Sequence, residues 1–296
     1  MRTAIVGVGD YGSRLAARLI TSGEDVTLIA RGRTLERLKT EGLKASPGPS
    51  DPELHIQKVN ATNDSAAVGP VDVVLLCVKL YQLDDAMETA SPLVGESTAV
   101  LGFQNGVTAE NRLIKRFGAL HVLGAASDAG PVPLAIGELP GGTSARTSSI
   151  VQMFKDANTN AVEHENVLEA IWGKFLITCG GSIAALSRLS IGQLAEIPDL
   201  RKLGGMAISE AIELANAKGL KFGDEQLEKF DNVLTEVSES NPGWRPSLLQ
   251  DLDAGRPLEL DAWCGGAVKI GQELGKATPV NFAMYAALKP YENGNI

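Results

Sequence analysis

The chain begins with a stretch that leaves few folds open: Thr3-Ala-Ile-Val-Gly7-Val-Gly9-Asp-Tyr-Gly12-Ser-Arg-Leu. A short apolar run stops at Gly7 and glycines recur at 9 and 12. Leu15, Ala16, Leu19 and Ile20 then follow at helical spacing. The pattern is strand, tight turn, helix, with G-x-G-x-x-G at the joint. Gly7 permits the turn, Gly9 lets the backbone approach a pyrophosphate, and Gly12 lets helix and strand pack closely. The first N–H groups of the helix and its positive dipole end would face the phosphates. Gly7, Val8, Gly9, Asp10, Tyr11 and Gly12 are therefore expected to hold a dinucleotide. A glycine turn with a purely structural role is the competing reading.

The residues that follow keep alternating. Strands are expected at residues 25–30, 71–78, 99–103 and 121–125, and helices at 34–40, 86–90 and 108–117. Residues 46–52, rich in Pro, Gly and Ser, read as a loop. The run at 71–78 is apolar at nearly every position, as a central parallel strand should be. Strands alternating with helices mean an α/β class with a parallel sheet covered on both faces. Residues 136–138 and 147–150 are expected to form a late extended pair closing this domain. From Glu165 onward the pattern is helical, with helices expected at 203–217, 226–237, 260–274 and 283–288. The reading is thus two domains, residues 1–165 and 166–296, the second mostly α-helical.

Composition narrows the function. The net charge of −9, from 27 basic and 36 acidic residues, argues against a general nucleic-acid binder, which needs a basic face. Cys77, Cys179 and Cys264 lie far apart with no C-x-x-C, so they read as reduced, buried thiols. His55, His121 and His164 form no metal-ligand pattern, and no metal is expected. There is no leader-like N-terminus and no uncharged apolar run of about 18 residues. A cytoplasmic protein without a membrane span is the expectation.

Several residues carry possible chemistry. The second strand ends Ile29-Ala30-Arg31-Gly32-Arg33, where NAD-binding folds usually place an acid for the ribose 2′-OH. Guanidinium groups there suit a 2′-phosphate, which favours NADP(H). Lys79 and Gln82 follow the central strand, and Asn105 follows the next one; the carboxyl ends of parallel strands face the ligand crevice. Each also fits an ordinary loop or turn role. Lys174 is a lone cation in a predominantly apolar segment, Ala170-Ile-Trp-Gly-Lys174-Phe-Leu-Ile-Thr178-Cys-Gly-Gly-Ser182. Such a lysine loses basicity, which suits a general acid for a ketone oxygen that gains charge as hydride arrives. Thr178 and Ser182 share its face if the helix is continuous. Gly255 and Pro257 precede a helix whose first turn would hold Glu259 and Asp261, which is also good helix electrostatics.

Taken together, these residues resemble the ketopantoate reductases (2-dehydropantoate 2-reductases). The resemblance runs through nearly the whole chain: the glycine motif, Arg31, Val78-Lys79 with Gln82, Gln104-Asn105-Gly106, Ile136-Gly-Glu138, Trp172-x-Lys174, and Ser247-x-x-Gln250-Asp251 through Glu259-x-Asp261. It implies a Rossmann domain, a helical C-terminal domain like those of 6-phosphogluconate-type dehydrogenases, NADPH as hydride donor, and a homodimer. It implies that Lys174 is the general acid and that Glu259 shares its cleft, orienting Lys174 or binding substrate and cofactor hydroxyls. Ser247 would bind the substrate carboxylate, and Lys79 and Asn105 would line the cofactor–substrate junction. Pantoate-forming members typically carry Asn where this chain has Thr178 and Ser182, so the substrate is the open point. Ketopantoate is the leading expectation. A paralogue acting on another keto acid and a non-catalytic NADP(H) sensor are the alternatives.

Overall fold

The computed structural model describes residues 1–46, 52–127 and 133–294. The chain divides into two compact units, Met1–Gln104 with Thr108–Ile171, and Asn105–Val107 with Trp172–Ile296. The division by contacts falls within the helix that begins at Val167. The reason is local: Val167 packs where Gly124 and Gly137 leave room, so the helix start belongs to the sheet.

The first unit runs β1 (Arg2–Val6), α1 (Asp10–Thr21), β2 (Asp25–Ile29), α2 (Gly32–Glu41), β3 (Leu43–Ala45), β4 (Leu54–Ile56), β5 (Asn60–Thr62) and α3 (Ser65–Val68). It continues with β6 (Val73–Leu76), α4 (Leu83–Ala90), β7 (Ala99–Gly102), α5 (Ala109–Phe117), β8 (Val122–Ala126), β9 (Leu134–Glu138), α6 (Ala145–Asp156) and β10 (Ala161–Glu163). The eight-stranded sheet has the order β10-β9-β8-β7-β6-β1-β2-β5, and β3 and β4 pair separately as an antiparallel ribbon. From β5 to β8 every pairing is parallel. β9 runs antiparallel to β8, and β10 parallel to β9. All four residues of β6 are buried, which is why that segment is apolar throughout. Chain order reverses between β1 and β6, the switch point where open α/β sheets bind ligands. Part of the loop expected at 46–52 lies outside the described residues.

Residues 147–150 are not a strand. They form the first turns of α6, where the Ser144 hydroxyl accepts the Thr147 N–H and the Thr147 hydroxyl accepts the Ser144 N–H at 2.8 Å. This reciprocal cap outweighs the β-branched composition that suggested a strand. β10 supplies the closing strand instead.

The second unit is helical: the greater part of α7 (Val167–Ser187), then α8 (Ile191–Ala195), α9 (Pro198–Ala217), α10 (Glu225–Ser240), α11 (Ser247–Asp253), α12 (Cys264–Leu274) and α13 (Pro279–Leu288). α7 is long and apolar enough by length and composition to cross a membrane, yet 56% of its apolar window is buried here. It is a core helix. Gly180 serves packing: a Cβ there would sit 2.8 Å from Ile208 Cδ1 and 3.0 Å from the Gly204 carbonyl oxygen on α9. Glu210 on α9 holds the start of α13, accepting the Val280 N–H at 2.7 Å and the Asn281 N–H at 3.0 Å. The segment 260–274 is not one helix. A 3-10 turn, Leu260–Ala262, is followed by a non-helical Trp263 (φ −124°, ψ −136°) before α12 begins. Glu259 therefore caps a short turn and does not lie in the first turn of a helix.

Glu110, in the first turn of α5, is 7% exposed. Burial pushes its carboxyl up to about 7 from the ordinary 4.5, against a smaller lowering by a backbone hydrogen bond. A raised carboxylate pKa means that the folded state binds the extra proton, so stability is highest below the unfolded value and falls as pH climbs from about 4.5 to about 7. In Glu110→Gln that fall should flatten, with stability above pH 7 rising by roughly 1–3 kcal/mol. Urea midpoints measured across pH 4.5–8 for both proteins test this; parallel curves would refute it.

Candidate functional site

In the first unit, the expected cofactor residues meet at the carboxyl ends of β1, β2 and β6. Gly7 has φ +98°, and a Cβ there would lie 2.6 Å from Val78 Cγ1. A Cβ on Gly12 would strike the Gly7 carbonyl oxygen. Gly9 differs: nothing lies within 4 Å of its Cβ position. Among the described residues no neighbouring atom accounts for a glycine there, and Gly9 is the N-cap of α1, at the positive end of that helix. The site thus fits a dinucleotide pyrophosphate. Asp10 is exposed. The Tyr11 ring packs 5.4 Å from Phe103 with Arg14 5.3 Å above it, which fixes the first turn of α1 from the side. Val8 is buried in the core.

Arg31 is the N-cap of α2, and Arg31 and Arg33 are both exposed. The Arg31 guanidinium donates to Thr89 Oγ1 at 2.7 Å, and that hydroxyl donates to the Asp85 carbonyl at 2.8 Å. Thr89 thus holds Arg31 at the end of β2. No motif marked Thr89, since its role depends on α4 passing β2. Lys79, three residues beyond β6, is half-buried and precedes the 3-10 turn Leu80–Gln82; its N–H donates to Gln82 Oε1 at 3.4 Å. Gln104, buried at the end of β7, donates through Nε2 to the Leu76 and Val78 carbonyls at 2.8 and 3.0 Å. It ties the ends of β6 and β7 together, a role that its place in a turn motif concealed.

In the second unit, α7 carries Lys174 and Thr178 on its half-exposed face, with Ile177 and Gly181 beside them. Ser182 is not on that face. It is fully buried, its hydroxyl accepting the Cys264 N–H at 3.2 Å and donating to the Thr178 carbonyl at 3.2 Å. Ser182, expected to contact substrate, instead caps the start of α12 in this structure. The Thr178 hydroxyl donates to the Phe175 carbonyl at 2.8 Å. The Glu259–Trp263 segment docks on α7, since Gly266 leaves room for Phe175, whose Cε2 is 3.1 Å from the glycine's Cβ position. Glu259 is 5% exposed. Trp263 Nε1 and Asp261 Oδ1 are buried without a hydrogen-bond partner among the described residues. Asn105 is half-buried and groups with this unit; Gly106 beside it has φ +88°, and its Cβ position is 3.1 Å from Ala262 Cα. Ser247 opens α11 and is half-buried, while the buried Asp251 accepts from Arg256 Nε at 2.8 Å. Cys179 and Cys264 are both buried, and burial raises both thiols. Among the described residues no group of His, Cys, Asp and Glu is placed to hold a metal.

The chain matches the family model described as ketopantoate reductase PanE/ApbA over residues 3–132, and its C-terminal counterpart over residues 166–292. It is 27% identical to the 2-dehydropantoate 2-reductase of Pyrococcus horikoshii, covering 99% of this chain and 98% of that protein. A crystal structure of 2-dehydropantoate 2-reductase from Geobacter metallireducens superimposes with a TM-score of 0.86 at 27% identity, covering 98% of this chain and 99% of that one. A D-mandelate dehydrogenase in complex with NADH and anilino(oxo)acetate shares the fold, with a TM-score of 0.85 at 19% identity over 99% of this chain and 98% of that one.

The glycine geometry makes a paired prediction. Gly12→Ala should unfold the protein or lower its Tm by several degrees, because a methyl group has no room beside Gly7. Gly9→Ala should leave Tm nearly unchanged and weaken dinucleotide binding at least tenfold. Thermal melts with and without cofactor separate the two; equal damage to the apo Tm would contradict the assignment.

Proposed function

The chain belongs to the ketopantoate reductase family, and from that premise we propose that it reduces a 2-keto acid to the 2-hydroxy acid with NADPH, ketopantoate being the first substrate to try. It is an oxidoreductase, and enzymes of this family work with a nicotinamide cofactor. The observation that carries the reading is Lys174, the one Lys or Arg on α7, half-exposed on a mostly apolar core helix.

Gly7, Gly9 and Gly12, with the first N–H groups of α1, hold the pyrophosphate. Arg31, steadied by Thr89, pairs with the 2′-phosphate, and an acid that would favour NAD(H) is missing from that strand end. Lys79 and Gln82 contact the cofactor, as do Asn105 and Glu259 through its hydroxyls. When bound, the reduced nicotinamide supplies hydride. Lys174 gives a proton to the keto oxygen as negative charge builds on it, and Glu259 orients that lysine. Ser247 takes the substrate carboxylate, and Asn105 and Thr178 contact the remainder of the acid. A homodimer working in the cytoplasm completes the proposal. Ser182, committed to capping α12, favours the second reading, in which the acid reduced is one other than ketopantoate.

Lys174→Ala should lower kcat by about 10³-fold or more, several kcal/mol of transition-state stabilisation, while NADPH affinity stays within about threefold. Stopped-flow turnover and fluorescence titration of NADPH measure the two separately, and near-normal turnover would overturn the acid assignment. Arg31→Glu should reverse or abolish a preference for NADPH over NADH, read as the ratio of kcat/KM values. An unchanged ratio would assign the 2′-phosphate elsewhere.

A further inference from the structure

We propose that Arg14 is a second cation of the dinucleotide site: it serves the pyrophosphate that NADPH and NADH share, whereas Arg31 serves the 2′-phosphate that distinguishes them. This rests on the dinucleotide reading above and adds to that site a residue outside its glycine motif.

The pyrophosphate turn carries a charge of the wrong sign. Asp10 follows Gly9 directly, opens α1, and has a side chain that is 90% exposed. A carboxylate in a first helical turn suits the helix dipole. It also stands beside the N–H groups that an incoming diphosphate uses, and like charges repel. The opposing cation comes from the same helix. Arg14 lies one turn on, and helical side chains lean towards the N-terminus, so its guanidinium reaches back over the first turn. Arg14 Nη2 comes to 3.6 Å from Asp10 Oδ2. That separation is an ion pair without a hydrogen bond, and it leaves the guanidinium fork open towards the mouth of the turn.

Arg14 is nevertheless held in place. Its Cζ stands 5.3 Å from the centroid of the Tyr11 ring, within the range of a cation–π contact. That ring packs 5.4 Å from Phe103, and Phe103 meets the fully buried Phe154 edge-on at 6.4 Å. The guanidinium is thus seated on a row of rings that runs into the core of the first unit. The Arg14 side chain is only 28% exposed, and its Nε is buried with no hydrogen-bond partner among the described residues. An arginine that served only solubility would keep its N–H groups in water, because burying one unpaired is unfavourable. A guanidinium that is seated, partly dried and loosely paired, one turn from the N-cap of α1, is preorganised for phosphate oxygens.

The test compares cofactors, using the full chain. In Arg14→Ala, fluorescence titration should show Kd rising by about tenfold for NADPH and by the same factor for NADH, since both carry the pyrophosphate. The apo Tm should stay within about 2 °C, because a partly exposed ion pair contributes little to stability. Asp10→Asn removes the opposing charge and should lower both Kd values by about threefold. Arg14→Lys keeps the charge and the stem but loses the fork and the flat face. Its Kd values should fall between those of the unaltered protein and Arg14→Ala, and it carries the test if the alanine variant does not fold. Unchanged Kd values, a loss confined to NADPH, or a change confined to the KM of the keto acid overturns the inference and leaves the dinucleotide reading standing. Weaker binding of both cofactors by Asp10→Asn also overturns it. Binding of neither dinucleotide by the unaltered protein overturns both.

Discussion

The contact between Gly7 and Gly12 sets much of the first unit. A helix can follow β1 this abruptly only if its first turn lies against the turn that launched it, and any side chain at Gly12 would occupy the space of the Gly7 carbonyl. That close approach sets the N-terminus of α1 at the carboxyl edge of the sheet, where the chain order reverses between β1 and β6. Gly9 has no neighbour within 4 Å of its Cβ position among the described residues. Packing within the protein accounts for Gly7 and Gly12, and the space beside Gly9 is open.

The second unit depends on a different device. Its helices are joined at their ends by side chains that replace missing backbone partners. Ser182 accepts the first N–H of α12, and Glu210 accepts two N–H groups at the start of α13. A half-buried carboxylate or a buried hydroxyl used this way offsets the orphan donors of a helix start, at about 1 kcal/mol or more each. The Ser182 hydroxyl both closes this helix and is fully buried, so what sets its exposure here is packing against α12.

The sheet was largely legible in the sequence because parallel strands buried on both faces leave continuous apolar runs, as at Val73–Leu76, and glycines mark the turn. What escaped were elements fixed by capping. Residues 147–150 look like strand by composition, but Ser144 makes them helix. α8 rests on a Ser190–Gln193 capping box of the same kind. The break at Trp263 was also hidden, since the residues around it keep helical spacing while Gly265 and Gly266 bring backbone against backbone. At the site, residue types pointed to Lys174, Arg31 and Glu259. They did not reveal Thr89, whose bond to Arg31 spans 58 positions, or the burial of Ser182.

α7 shows why Lys174 is informative and Ser182 misleading, although both stand on one helix. By length and composition α7 resembles a membrane span, and in the fold it is a core helix with one half-exposed stripe. A helix turns 100° per residue, so side chains at 174, 178 and 182 drift by about 40° at each step of four. Over two such steps the drift is about 80°, enough to carry a residue from the open face into the core. Lys174 and Thr178 remain on the open face; Ser182 has rotated under α12. Spacing by four therefore identifies neighbours along one turn, and over two turns the burial of the neighbouring helix decides which polar side chain is left for chemistry.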